Sequence, residues 1–455
     1  MDKQKELGEG SVIKLLTKYS VPAIIAMMVN SLYTIIDRMF IGRIPGVGSI
    51  AMSGVGITMP IVYVILGLGM LVGVGTAASI SIKLGQGKKK VAEKLLGNAL
   101  TLSLIISVIV TVLGIMFSRN ILLLFGASSS VIGYADEFIK IILIGTVFNL
   151  VGFSLNQSIR SDGSPKVAMT TMLIGCGLNI ALDPLFIFVF KWGIQGAALA
   201  TILSQAVSAV CVLYYFTKGS SNLKIKKETL KLEKPLVLGI FAIGMAPCAM
   251  QMAASLVQVV SNRALITYGG DLAAGAMAII SSVGMIFLMP IFGMNQGSQP
   301  IIGYNYGAKK YKRVKQTLIY AIIAATIVVA IGGVLIQLFP EIAIKMFNDD
   351  PKLIEIGVSG IKIYLAMLPV IGFQAISTNY FQAVGKAKTS MFLSLLRQVI
   401  LLIPLLIILP KYFGLTGVWL AGPTSDLLSS IITAIFITKE MTLLEGVEKE
   451  ELVAQ

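Results

Sequence analysis

Long unbroken apolar runs, separated by short polar or basic stretches, recur from one end of this chain to the other. Runs such as Ile105 to Phe117 and Ile322 to Leu335 show no alternation of apolar and polar residues. They therefore do not fit the strands of about ten residues that build a membrane barrel, and they predict helices. A helix needs about 20 apolar residues to cross a hydrocarbon core of roughly 30 Å. On that measure the first half predicts spans near residues 15–37, 51–81, 95–117, 134–158, 167–190 and 195–217. The second half predicts 236–266, 274–303, 317–339, 354–382, 389–410 and 415–438. The expectation is an all-α integral membrane fold of twelve transmembrane helices.

The same text occurs twice, about 222 residues apart. Phe125 to Ile141 (FGASSSVIGYADEFIKI), continued at Gly163 (GSPKVAM), matches Phe347 to Ile363 (FNDDPKLIEIGVSGIKI), continued at Gly385 (GKAKTSM). Pro22 and Asp37-Arg38 likewise match Pro247 and Asn262-Arg263, and the basic turn after Gly87 matches the one after Gly307. Six spans per copy is an even number, so the copies have the same orientation as a parallel repeat of two six-helix bundles. The boundaries read from this pattern are an N-terminal lobe at 1–217, a polar cytoplasmic linker at 218–234 and a C-terminal lobe at 235–455. A duplicated bundle of this kind is the architecture of a secondary transporter working by alternating access.

Lys and Arg collect in every second loop. Lys83, Lys88, Lys89, Lys90 and Lys94 follow the second span, Arg160 and Lys166 the fourth, and Lys218, Lys224, Lys226, Lys227, Lys231 and Lys234 the sixth. Lys309, Lys310, Lys312, Arg313 and Lys315 follow the eighth, and Lys386 and Lys388 the tenth. The positive-inside rule makes these loops, and both termini, cytoplasmic in a multi-pass protein of the cell membrane. The intervening loops hold Asp136, Glu137, Asp271, Asp349 and Asp350. Met1 to Gly10 is charged and the first span runs on into further membrane helix, so no cleavable signal is expected.

Composition agrees with that solvent: 56% of the 455 residues are apolar and 13% charged, with a mean hydropathy of +0.87. The net charge of +15 is spread over the loops, with no soluble module to grip a duplex, so nucleic acid is not an expected partner. Lipid is a partner by necessity, and a monomer suffices. The chain has no His, and its three cysteines, Cys176, Cys211 and Cys248, are widely spaced; a disulfide framework or a His- or Cys-ligated metal is not expected. There is no GxxxxGK[ST] loop for ATP. No nucleophile and base set suggests an enzyme. The expected energy source is an ion gradient, with no cofactor beyond the coupling ion.

Ionisable residues inside a membrane are costly and tend to be functional. Asp37 ends the first span and Asp183 lies in the fifth, with Asn179 one turn before it on the same face. Thr201 in the sixth adds a hydroxyl. These four are the candidate cation-coupling set: hard oxygens suited to Na⁺, or two coupled carboxylates sharing a proton. Asp37 corresponds to Asn262, while at the 222-residue offset Asn179 and Asp183 meet Leu401 and Leu405, so coupling is expected in the N-terminal lobe. An interfacial pairing of Asp37 with Arg38 is the competing structural reading. Arg397 and Asp426, in the eleventh and twelfth spans, are a candidate C-lobe charge pair, as a clamp or in substrate or proton handling. Pro22 is a candidate hinge or a static kink. Met27, Met28, Met245, Met250 and Met285 are candidate linings of an adaptable substrate cavity.

Three separated segments, GMNQGSQPIIGYNYGAKKYKRV (Gly293 to Val314), PAIIAMMVNSLYTIIDRMFIGR (Pro22 to Arg43) and GLNIALDPLF (Gly177 to Phe186), resemble the multidrug and toxic compound extrusion (MATE) family in its MepA-like bacterial branch. The resemblance covers essentially the whole chain. It implies two six-helix lobes exporting cationic amphipathic drugs in exchange for H⁺ or Na⁺. It also implies an N-lobe site at Asp37, Asn179, Asp183 and Thr201 and a functional proline at Pro22. Some relatives carry an acid in the seventh helix where this chain has Ala254, so a second C-lobe cation site is not expected. A flippase for lipid-linked saccharides is the alternative within the same superfamily. It would call for several intramembrane arginines, of which only Arg397 is placed well inside a span.

Overall fold

The computed structural model describes residues 3–347 and 350–453, and these are helices joined by short turns, with no strand among them. In chain order the long helices are α1 (Val12–Gly42), α2 (Gly48–Gly85), α3 (Lys89–Leu124), α4 (Ile132–Ile144), α5 (Thr146–Ser161), α6 (Pro165–Pro184) and α7 (Gly193–Thr217). They continue as α8 (Lys234–Gly270), α9 (Leu272–Gly307), α10 (Tyr311–Leu338), α11 (Pro351–Tyr364), α12 (Leu368–Ala383), α13 (Ala387–Leu395) and α14 (Ile403–Val453). Asp349 lies outside the described residues, as do the side chain of Asp271 and the ends of both termini.

Among the described residues nine helices are long and apolar enough to cross a membrane, and eleven spans result when the bent pairs α4/α5 and α11/α12 each count as one. The last of these, Ala387–Val447, has 61 residues. At 1.5 Å per residue that is about 90 Å, some three times the hydrocarbon thickness. It turns at Gly414 (φ 56°, ψ −136°), which divides it into the eleventh and twelfth crossings. Large apolar side chains stand exposed along the outer faces, Met116, Leu124 and Val108 among them, as lipid rather than water requires.

The duplication is written in the bends. The pairs break by 52° after Ile144 and by 47° after Tyr364, at equivalent places in the two copies. Left-handed residues recur in register too: Gly46 with Gly270, Gly87 with Lys309, Gly163 with Gly385, and Gly193 with Gly414. At Gly145 an added Cβ would lie 2.4 Å from Ile202, so only glycine lets the first bend press onto α7. Thr111 donates to the Leu143 carbonyl at 2.6 Å beside the break.

Packing divides the chain into two compact units, Ile25–Gln251 with Met1–Glu6, and Leu7–Ile24 with Met252–Gln455. These bounds differ from the lobes at 1–217 and 235–455 read from the sequence. The first turns of α1 belong to the second unit and those of α8 to the first, so each unit is completed by the start of the other half's leading helix. Close helix approach explains the exchange. In the first unit a Cβ on Gly244 would lie 1.8 Å from the Leu71 carbonyl oxygen, and one on Gly75 2.1 Å from that of Ile240. In the second, Cβ atoms on Gly293 and Gly297 would each lie 2.6 Å from the backbone of Ile24 and Ser20. Seams of small residues of this kind let helix backbones touch where lipid removes the hydrophobic drive for association.

The polar linker segment is held as an ordered strap on the first unit. The Asn98 amide donates to the carbonyls of Thr229 and Lys231 at 3.3 and 3.0 Å and accepts from the Glu233 amide at 2.9 Å. Thr101 donates to the Leu230 carbonyl, and Lys94 pairs with Glu233 at 2.7 Å. Further along, the Asp162 carboxylate accepts from the amides of Asn222 and Leu223, both at 3.0 Å. In the second unit the carbonyls of Leu7, Gly8 and Gly10 are held by the Asn305 amide and by Lys310 and Arg313, the two cations being suited to the end of the short helix Lys3–Glu9. Asn98→Ala is expected to loosen the strap by about 2 kcal/mol. Trypsin cleavage at Lys226, Lys227 and Lys231 should then rise roughly tenfold or more; an unchanged cleavage rate would mean the amide does not secure it.

Candidate functional site

All four predicted coupling residues lie within the first unit and meet there. Asp37 is carried by the part of α1 beyond Ile25, Asn179 and Asp183 by α6, and Thr201 by α7. Asp183 is fully buried and Asn179 nearly so. The Asn179 amide donates to Asp183 Oδ1 and to Thr201 Oγ1, each at 3.4 Å, longer than the usual ~2.9 Å. The carboxyls of Asp37 and Asp183 lie close enough to interact, and two buried carboxyls so placed can share one proton. Three oxygens of the cluster, Asp37 Oδ1, Asn179 Oδ1 and Asp183 Oδ2, are buried without a hydrogen-bond partner. Such orphan acceptors are uncommon and call for an explanation.

Local backbone chemistry adds to this. Pro184 follows Asp183 directly and offers no N–H to the Ile180 carbonyl one turn back. The helix then widens into a π-turn over Leu185–Val189, a feature that gathers at functional sites. Phe186, Phe190 and Trp192 stack just beyond, with ring centroids 5.1–5.6 Å apart. An aromatic cluster of this type suits the membrane interface. Asp183 thus lies about 9 Å along the helix from its end at Val189.

Arg38 donates to Met59 Sδ at 3.6 Å and also acts electrostatically on Asp37. Tyr33, one turn before Asp37, lies close enough to interact with both acids. Sequence reasoning missed it, although the four-residue spacing to Asp37 was the available signal. Arg160, counted among the loop cations, is 2% exposed, with Nη1 bonded to Gln157 Oε1 at 3.0 Å and Nη2 unpaired.

In the second unit Arg397 Nε donates to Asp426 Oδ1 at 2.5 Å. Pro22 is inside α1, two residues before the chain passes from one unit to the other. Among the candidate cavity methionines, Met28, Met245 and Met285 are exposed, while Met27 and Met250 are half-buried. Among the described residues no group of three or more acidic or thiol side chains forms a metal centre.

Two copies of one helical bundle, crossing the membrane many times and burying unpaired acids inside one unit, define an integral membrane transporter. The model of the MatE family matches residues 22–185 and again 247–408, beginning at Pro22 and Pro247, and the chain belongs to that family. It is 28% identical over 416 residues to the multidrug export protein MepA of Staphylococcus haemolyticus, covering 90% of each chain. An outward-facing multidrug resistance MATE family transporter of the MOP superfamily superposes with a TM-score of 0.91, covering 97% of this chain and 98% of that one at 24% identity. A MOP superfamily transporter from Pyrococcus furiosus, described as having a binding pocket of reversed polarity and a different function, superposes equally well at 24% identity, with the same coverage. These likenesses show a shared fold.

Proposed function

We propose that this protein is an antiporter of the cell membrane that exports cationic amphipathic compounds in exchange for H⁺ or Na⁺ by alternating access. The observation that carries this reading is the Asp37–Asp183 contact, buried beside unpaired oxygens of Asn179 and of the two acids themselves. A proton shared between the carboxyls, or a Na⁺ held by these oxygens with Thr201, would satisfy acceptors that otherwise oppose folding. Loss of that ion leaves negative charge inside the unit and favours capture of a cationic drug from the cytoplasmic side. Reloading from outside neutralises the pair and favours release. Pro22 serves as the hinge in this scheme, because bending there displaces the part of α1 that bears Asp37.

The energetics are adequate. One charge moving through about 150 mV supplies roughly 3.5 kcal/mol, enough for a few hundred-fold gradient of a neutral drug. A monovalent cationic drug exchanged one for one draws only on the chemical gradient of the ion.

Efflux of ethidium from proteoliposomes under an imposed pH or Na⁺ gradient tests the proposal. Dye movement driven by one gradient and stopped by its collapse is the expected result and names the ion. Native protein that moves no dye under either gradient would overturn it.

A further inference from the structure

The charge pair of the second unit is oriented in a way that a clamp does not require. Arg397 uses Nε for its 2.5 Å contact with Asp426 Oδ1, and neither Nη group has a partner among the described contacts. The Arg397 side chain is 28% exposed while that of Asp426 is 7% exposed. Arginine–carboxylate pairs frequently engage through two parallel N–H bonds, and this one does not. Here Asp426 steers the group and the Nη edge stays open.

Its surroundings are built to hold that orientation. A π-turn over Leu396–Leu402 displaces the backbone at Arg397, and Ser425 Oγ donates to the Arg397 carbonyl at 2.7 Å. The ring of Tyr364 lies against Gly422, where an added Cβ would be 2.9 Å away, and it interacts with both charges. The first half shows that the pair is unnecessary for joining these two helices. At the repeat offset Arg397 corresponds to Gly175, and in the register that pairs Gly193 with Gly414 Asp426 corresponds to Gln205, so no charge pair recurs there. Depth narrows the ligand. Arg397 is ten residues into the helix that starts at Ala387, about 15 Å along it. That places it away from lipid phosphates, and an intramembrane guanidinium faces the bundle interior or a water-filled space rather than lipid.

We propose that Arg397, held at Nε by Asp426, is a receptor for a planar oxyanion, and that it takes the carboxylate of zwitterionic amphiphiles carried by this transporter. The inference rests on the transporter reading and assigns to Arg397 the discrimination of substrates by their carboxylate.

Rhodamine B, which has a free carboxylate, and its ethyl ester are the probes, with binding to the full chain in detergent followed by fluorescence anisotropy. Arg397→Lys keeps the charge and loses the planar fork. It is expected to weaken binding of the free acid about tenfold or more and to leave the ester within twofold. Asp426→Asn, which frees the guanidinium, should act in the same direction. Equal losses for acid and ester, or an unchanged affinity for the acid, would overturn the proposal and leave a structural clamp. Ethidium efflux by the same variants is read in parallel. Failure of ethidium efflux in the native protein would refute the transporter reading, while the binding measurement still decides whether Arg397 receives the carboxylate.

Discussion

Asp183→Asn is expected to reduce gradient-driven dye efflux to the passive leak rate and, at the same time, to raise thermal stability. Asparagine nearly matches the shape of aspartate, so the helix contacts of α6 survive. The group removed is a fully buried carboxyl with one oxygen unpaired, which costs free energy wherever it lacks a compensating partner. Relief of that penalty is worth about 1–3 kcal/mol, and a functional site bought at the expense of stability is a common trade. Asp37→Asn should behave alike, and the double variant should lose no more transport than either single one, because the two carboxyls act as one unit. Thr201→Val, which removes a supporting hydroxyl, is expected to reduce transport roughly tenfold. Efflux from proteoliposomes and unfolding temperature in detergent check the pair of outcomes. Undiminished coupled transport in both aspartate variants would move the coupling out of the first unit.

The second large effect lies on α8, where neighbouring glycines are expected to respond with opposite sign. Gly244→Ala places a Cβ 1.8 Å from the Leu71 carbonyl oxygen, a backbone atom that cannot turn aside. The helices must separate, and overpacking of this kind costs about 1–3 kcal/mol or more. Gly239, one turn and a fraction earlier on the same helix, has nothing within 4 Å of its virtual Cβ. Gly239→Ala should stabilise by up to about 1 kcal/mol through helix propensity. A lower unfolding temperature for Gly244→Ala alone identifies the seam with α2 as what holds the start of α8 in the first unit. Equal responses would show that the close approach carries no such weight.

Several features were legible in the sequence because they depend on local or additive physics. Continuous apolar runs must satisfy their backbone internally in lipid, and this forces helices wherever they occur. The internal repeat survives as text, and its turn residues recur in the structure at Gly163 and Gly385 or Gly193 and Gly414. Intramembrane acids are conspicuous by their cost, which is how Asp37, Asn179, Asp183 and Thr201 stood out before their contacts were known. Two of the family motifs, Pro22 to Arg43 and Gly177 to Phe186, hold three of these four residues.

Other features needed the tertiary structure, since they are relations between residues far apart in the chain. A polar stretch at 218–234 looks the same whether it hangs between lobes or is strapped down by Asn98 and Asp162. Nothing local tells that α1 and α8 begin in one unit and end in the other, because that exchange follows from which glycine meets which backbone across the bundle. Tyr33 joins the acids only through the rotation of α1, and Arg160 is buried only because α5 packs its last turn against α2. The choice of Nε over the Nη edge at Arg397 is a matter of side-chain geometry. Hydropathy and repetition thus determined that this chain is a duplicated helical membrane bundle whose two halves carry different intramembrane charges. Close packing determined where its units divide, which oxygens remain unpaired and which edge of a buried cation stays open, because those depend on distances that composition and order do not encode.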